Sequence, residues 1–199
     1  MTSPPALQYG VYYHIYNRGV NRENIFREER NYPYFLKLYA RYIEPVAETY
    51  VYCLLRNHFH ALVRIRDAET LKVSETFRVL NPSHQFSNLF NAYAKAINKA
   101  YERTGSLFQH PFGRVAVTSD AYFTCLVAYV HHNPQKHRFV DDFREWPYSS
   151  YQALLSYKPT RLKRDEVLEW FQGREQFVAF HQMDVDERRI APLIPDDFD

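Results

Sequence analysis

"TYVYCLLRNHFHALVRI", residues 49–65, decides the fold. Two runs rich in β-branched and aromatic residues, "TYVYCLLR" and "FHALVRI", meet tightly at Arg56 and Asn57, so the stretch reads as two strands of a hairpin. Side chains alternate along a strand, which sends His58 and His60 out of one face and Phe59 and Ala61 into the other.

Upstream, "GVYYHIYNRG" (10–19) alternates in the same way. Val11, Tyr13 and Ile15 face one side and Tyr12, His14 and Tyr16 the other, before a turn at Asn17 to Gly19. Between these strands Asn31 and Pro33 open a helix whose residues Phe35, Leu38, Tyr39, Tyr42, Ile43 and Val46 follow the 3.6 period, ending near Val46. Downstream, residues 66–82 are polar and read as a loop or short helical insertion. Ser83 is placed to cap a second helix with the stripe Phe86, Leu89, Phe90, Tyr93, Ile97 and Tyr101, stopped by Gly105. "FGRVAVT" is a fourth strand, and Ser119 caps a third helix (Phe123, Leu126, Val127, Val130) that Asn133 and Pro134 should stop. Past about residue 144, "WPYSSYQALL", "RDEVLEWF" and "EQFVAFHQ" read as short covering helices.

The order strand, helix, strand, strand, helix, strand, helix begins with the ferredoxin-like split pattern, so the expected class is α+β: an antiparallel sheet with helices on one face. The other face is left for a ligand or a further helix. Residues 8–155 form the expected catalytic domain, and 156–199 a helical appendage with an acidic tail. A chain of 199 residues buries a sizeable core without staples. Cys53 and Cys125 sit in apolar contexts with no signal peptide before them, which predicts reduced thiols in a cytoplasm. No apolar stretch approaches the roughly 20 residues of a membrane span. With 25 basic and 23 acidic residues the net charge of +2 announces no nucleic-acid partner by itself. Arg18, Arg22, Arg27, Arg30, Arg56, Arg64, Arg114, Lys136, His137 and Arg138 lie in the first 140 residues, whereas the last 16 include Asp184, Asp186, Glu187, Asp196, Asp197 and Asp199, which reads as a basic body with an acidic tail. Aromatics make up 17% of the chain, with 17 tyrosines, which suits base stacking and a well-filled core alike.

Two neutral imidazoles a few ångströms apart on one strand face are ligand geometry for a divalent ion; they read equally as polar residues on a solvated face, since two ligands do not make a site. On the third helix Tyr129 and Asn133 lie four residues apart and share a face. An amide oxygen suits a hard cation as third ligand, with the Tyr129 hydroxyl nearby as nucleophile. The bland alternatives are a core tyrosine and an Asn-Pro helix terminus. Arg18, Arg22, Arg56, Arg64 and Arg114 are candidates for phosphate contacts, and Tyr12, His14, Tyr16 or Phe112 for base stacking. His14 fits beside the site or on the helix-covered face. His132 can replace Asn133 as a ligand, whereas His84, His110, His137 and His181 carry no signal apart from that of surface residues.

Taken together, "YYHIYNRG", "CLLRNHFHALV", "SLFQHPFGRV", "YVHHNP" and "WPYSSYQALL" resemble the single-tyrosine HUH transposases, and among them the REP-associated tyrosine transposase branch. The resemblance runs in order over residues 10–155. It implies a single-stranded DNA endonuclease and strand transferase acting through a 5′-phosphotyrosine on DNA that bears a hairpin. His58 and His60 carry over as ligands of Mg²⁺ or Mn²⁺ and Tyr129 as the nucleophile. By the same resemblance, many transposases of the wider family have Gln at the third ligand position, whereas this chain has Asn133, as the REP-associated branch does. Members include monomers and dimers, and C-terminal helices that cover the sheet edge favour a monomer here. A non-catalytic single-stranded nucleic-acid-binding protein of ferredoxin-like fold is the alternative. A hydrolase activating water at the histidine pair would want an acidic partner, and only Asp67 and Glu69 lie within nine residues of the pair.

Overall fold

The computed structural model describes residues 5–69, 80–183, 188 and 191. Four strands, β1 (Tyr12–Arg18), β2 (Ala47–Leu54), β3 (His58–Ile65) and β4 (Gly113–Val117), form one sheet in the order β2-β3-β1-β4. Every neighbouring pair is antiparallel. The α+β, ferredoxin-like expectation is met.

Helices α1 (Asn31–Tyr42) and α2 (Pro82–Ala100) cover one face. They pack over the side chains that alternate away from the histidines: Phe59 lies 5.3 Å from Phe35 of α1 and 5.8 Å from Phe90 of α2, ring centre to ring centre. Ile15, Ala61 and Val63 are buried beside it. The opposite face carries α3 (Asp120–Lys136), which packs on β2 and β3. The chain then adds α4 (Tyr151–Leu155), α5 (Arg164–Trp170) and α6 (Arg174–His181).

Four helix boundaries differ from expectation. α1 stops at Tyr42 rather than near Val46, because the Ile43 carbonyl accepts the N–H groups of both Val46 and Ala47 at 2.8 Å and closes a turn. Asn81, not Ser83, caps α2: its side-chain oxygen accepts the His84 N–H at 3.1 Å with Pro82 at the first helical position. α2 also ends at Ala100, short of Gly105. α3 runs through Pro134 to Lys136, and the turn beyond the proline closes when the His137 N–H donates to the Asn133 carbonyl at 2.9 Å. Pro134 sits close enough to the helix end that the missing donor breaks nothing beyond it. Most of the polar stretch 66–82, residues 70–79, lies outside the described residues.

The edge of β2 is covered by residues 148–163. Leu54 N–H donates to the Tyr148 carbonyl, Ser150 N–H to that of Tyr52, and Lys163 N–H to that of Thr49, each at 2.9 Å. Backbone groups that would invite another strand are thereby satisfied internally.

Candidate functional site

The β1–β3 register sets Tyr16 opposite His60 and Arg18 opposite His58, so four polar side chains share the face beneath α3. His14 is on that face too and is wholly buried. Its Nε2 lies 2.9 Å from His60 Nδ1, in a hydrogen bond between rings inclined by 21°. His58 Nδ1 donates to the Asn57 side-chain oxygen at 2.8 Å. An amide oxygen only accepts, so in the neutral ring the His58 lone pair lies on Nε2. Burial holds His58 neutral and pushes its pKa down to about 3; His137 and Arg18 add to the shift and the Asn133 amide opposes it. Burial, then the neighbouring rings of His14 and His58, holds His60 well below the usual imidazole range. Both imidazoles are therefore neutral, the charge state that metal ligation requires.

α3 brings the rest. The Tyr129 ring is 5.6 Å from the His60 ring and 6.3 Å from that of His14. Asn133, one turn on, donates from Nδ2 to the Tyr129 carbonyl at 2.8 Å. That bond orients the amide, and its Oδ1 is fully buried with no geometrically sound hydrogen bond, although it lies near enough to His58 to affect its titration. An orphaned carbonyl oxygen beside two neutral imidazoles is a donor set that fits a hard or borderline divalent cation. Among the described residues no group of three or more His, Cys, Asp or Glu is set to hold a metal, so a centre here must count the amide among its ligands. Beside the tyrosine opens a cleft of about 760 Å³, lined by Tyr129, His132, Gln135, Lys136 and Phe143 among others.

The predicted DNA contacts divide. Arg18 is buried at the histidines, and Tyr16, half-buried, has its phenol pKa raised by burial. Arg22 and Arg56 are exposed in the turns after β1 and before β3, which are joined by Gly19 N–H to the Asn57 carbonyl at 2.8 Å. Arg64 is on the same face but farther along, bridged to Glu48 and Asp67. Arg114 pairs in register with Ile15 and so points to the other face, where it packs over Phe112 and donates to Ser83 Oγ at 3.1 Å. His132 turns from the histidine pair, its Nε2 donating to the His181 carbonyl at 3.0 Å.

Sequence reasoning missed His137, whose ring is 4.9 Å from that of His58. The i,i+4 rule that found Asn133 from Tyr129 finds His137 from Asn133 once the helix is allowed past Pro134. Lys136, with Nζ 5.5 Å from the Tyr129 ring centre, was missed for the same reason. His181 is no surface residue either. Its Nδ1 donates to the Phe177 carbonyl at 2.8 Å, its Nε2 accepts from His131 Nδ1 at 2.8 Å, and His131 Nε2 accepts the Ser150 hydroxyl at 2.8 Å. Ser150 Oγ in turn accepts the Tyr52 N–H at 2.9 Å. Each donor in this chain is fixed by the acceptor-only carbonyl at its start, and together they bind α6 to α3 and β2.

An antiparallel α+β sheet with a histidine pair roofed by a tyrosine-bearing helix is thus the class that fold and site define. Its likeness to known proteins is specific. No protein-family model matches the chain. A curated protein of Haemophilus influenzae named "Putative REP-associated tyrosine transposase" is 26% identical over 106 residues, which span 52% of this chain and 58% of that protein. The match therefore takes in under two thirds of the relative's length. A solved structure described as "Structure of the REP associates tyrosine transposase bound to a REP hairpin" shares the fold with a TM-score of 0.62 and 14% identity, over 80% of this chain and 88% of the other. The chain is similar to REP-associated tyrosine transposases in sequence and in fold. Among the described residues no helix is long and apolar enough to cross a membrane.

Proposed function

We propose that the chain cuts and rejoins single-stranded DNA through a 5′-phosphotyrosine on Tyr129, next to a Mg²⁺ or Mn²⁺ ion held by His58, His60 and Asn133. The observation that carries this reading is the seating of Tyr129 and the orphaned Asn133 oxygen, one helical turn apart, over the histidine face. When bound, a divalent ion supplies positive charge against the non-bridging oxygens of the scissile phosphate. Tyr129 Oη attacks phosphorus: the Oη–P bond forms, the bond to the 3′-oxygen breaks, the phenol loses its proton and the leaving oxygen gains one. The phosphotyrosine keeps the energy of the original ester, so another 3′-OH can reverse the step without a nucleotide cofactor. Arg18, Arg22 and Arg56, at or beside the site, are the residues to hold the sugar-phosphate backbone. Likeness to a transposase described as bound to a REP hairpin supports a hairpin-bearing strand as substrate.

The test is incubation with labelled hairpin-bearing single strands and Mn²⁺, followed by denaturing electrophoresis and peptide mapping. A nucleotide on Tyr129 is expected, and none with Tyr129→Phe, which keeps the ring that packs on His60. An adduct on any other tyrosine, or one formed by Tyr129→Phe, overturns the assignment. Tight binding with no adduct under any divalent ion would instead identify a non-catalytic single-strand-binding protein.

A further inference from the structure

The two histidines of β3 are held by different kinds of partner. His58 Nδ1 meets an amide oxygen, which can only accept, whereas His60 Nδ1 meets the His14 imidazole, which can accept or donate. The pair of neutral rings therefore has two arrangements of its two protons. In one, His60 is protonated on Nδ1 and His14 on its own Nδ1, so the lone pair of His60 lies on Nε2; in the other, His14 is protonated on Nε2 and His60 on Nε2, and His60 cannot ligate. Both rings have no exposed surface, so water does not settle the choice.

We propose that His14 is a positioning residue of this site: its Nε2 accepts the Nδ1–H of His60 and so selects the tautomer of His60 that can bind a metal. The proposal rests on the metal reading above. A ligand histidine commonly gives its second N–H to an outer partner that fixes ring and tautomer, and removal of that partner weakens metal binding by about tenfold to a hundredfold. Here the partner is a neutral ring rather than a carboxylate. It orients His60 without adding negative charge, and the two rings, inclined by only 21° with their centres 5.1 Å apart, lie nearly edge to edge along the hydrogen bond.

Long-range ¹H–¹⁵N correlation spectra of the metal-free, ¹⁵N-histidine-labelled chain read the tautomer directly. We expect a proton on Nδ1 of His60 and a lone pair on its Nε2; a proton on Nε2 overturns the proposal, and this measurement needs no variant to fold. Calorimetric Mn²⁺ titration is the second arm. His14→Phe, which keeps a ring but no acceptor, should bind about tenfold more weakly or worse, and His14→Gln, whose amide oxygen accepts, should stay within about threefold of the wild type. Wild-type affinity in a folded His14→Phe overturns the proposal alone. Absence of Mn²⁺ binding by the wild type overturns the metal reading and the proposal with it.

Discussion

At Asn133 the two ends of one amide serve different neighbours: Nδ2 is committed to the Tyr129 carbonyl at 2.8 Å, and Oδ1 is buried against the histidine face. Asn133→Ala removes both. The lost helix contact should cost about 1 kcal/mol, lowering the melting temperature by about 2 to 4 °C, while calorimetry should show Mn²⁺ affinity falling about tenfold, roughly 1.4 kcal/mol. Unchanged Mn²⁺ affinity would remove the amide from the ligand set. The pairing of His58 with His60 and of Tyr129 with Asn133 was legible in the sequence because both follow from one periodicity within one element. Asn57, His14 and His137 were not legible in these roles. Which nitrogen of a ring meets which partner depends on cross-strand register and helix placement, and local pattern fixes neither.

Between elements, the chain from the Phe177 carbonyl through His181 and His131 to Ser150 works only with neutral rings. Burial pushes the His181 pKa down to about 4, against roughly 6.5 in an unfolded chain. The unfolded state thus binds more protons between those values, so the stability His181 contributes is full above about pH 6.5 and falls as pH drops toward 4, by at most about 3 kcal/mol, and the buried His131 adds a loss of the same sign. Denaturant unfolding at pH 7.5 and 4.5 measures the loss, and His181→Gln should reduce it. A second contact between elements lies at β4, where Gly113 lets the Tyr16 ring cross the strand; a β-carbon there would overlap the ring. Gly113→Ala should cost about 2 kcal/mol by overpacking, a drop of roughly 4 to 8 °C in melting temperature. The strands, and which residues of each strand share a face, could be read from alternation alone. Helix ends could not, because the competition among Asn81, Ser83 and Pro134 is decided by which carbonyls and N–H groups tertiary packing leaves to be satisfied.

Over the whole molecule the net charge of +2 is small, so any grip on DNA depends on where the cations stand. Arg22, Arg56 and Lys136 are exposed near the site, with Arg18 behind them, whereas Arg64 and Arg114 are engaged elsewhere. Four phosphate contacts predict a slope near about −3 for log affinity against log salt on single strands. Arg22→Ala and Arg56→Ala should each flatten it by about 0.7, and Arg64→Ala and Arg114→Ala should leave it unchanged. Fluorescence anisotropy across a salt series checks this, and an equal effect of all four would mean that the strand does not follow the site. The chain of side chains joining α6 to α3 also has a consequence in time. His181 leaves the ribosome after His131 by 50 residues, roughly 3 to 10 s at ordinary elongation rates. During that interval α3 has been made but the histidine contacts that tie it to α6 have not, so a nascent chain carries Tyr129 on a helix still unclasped until synthesis has passed α6.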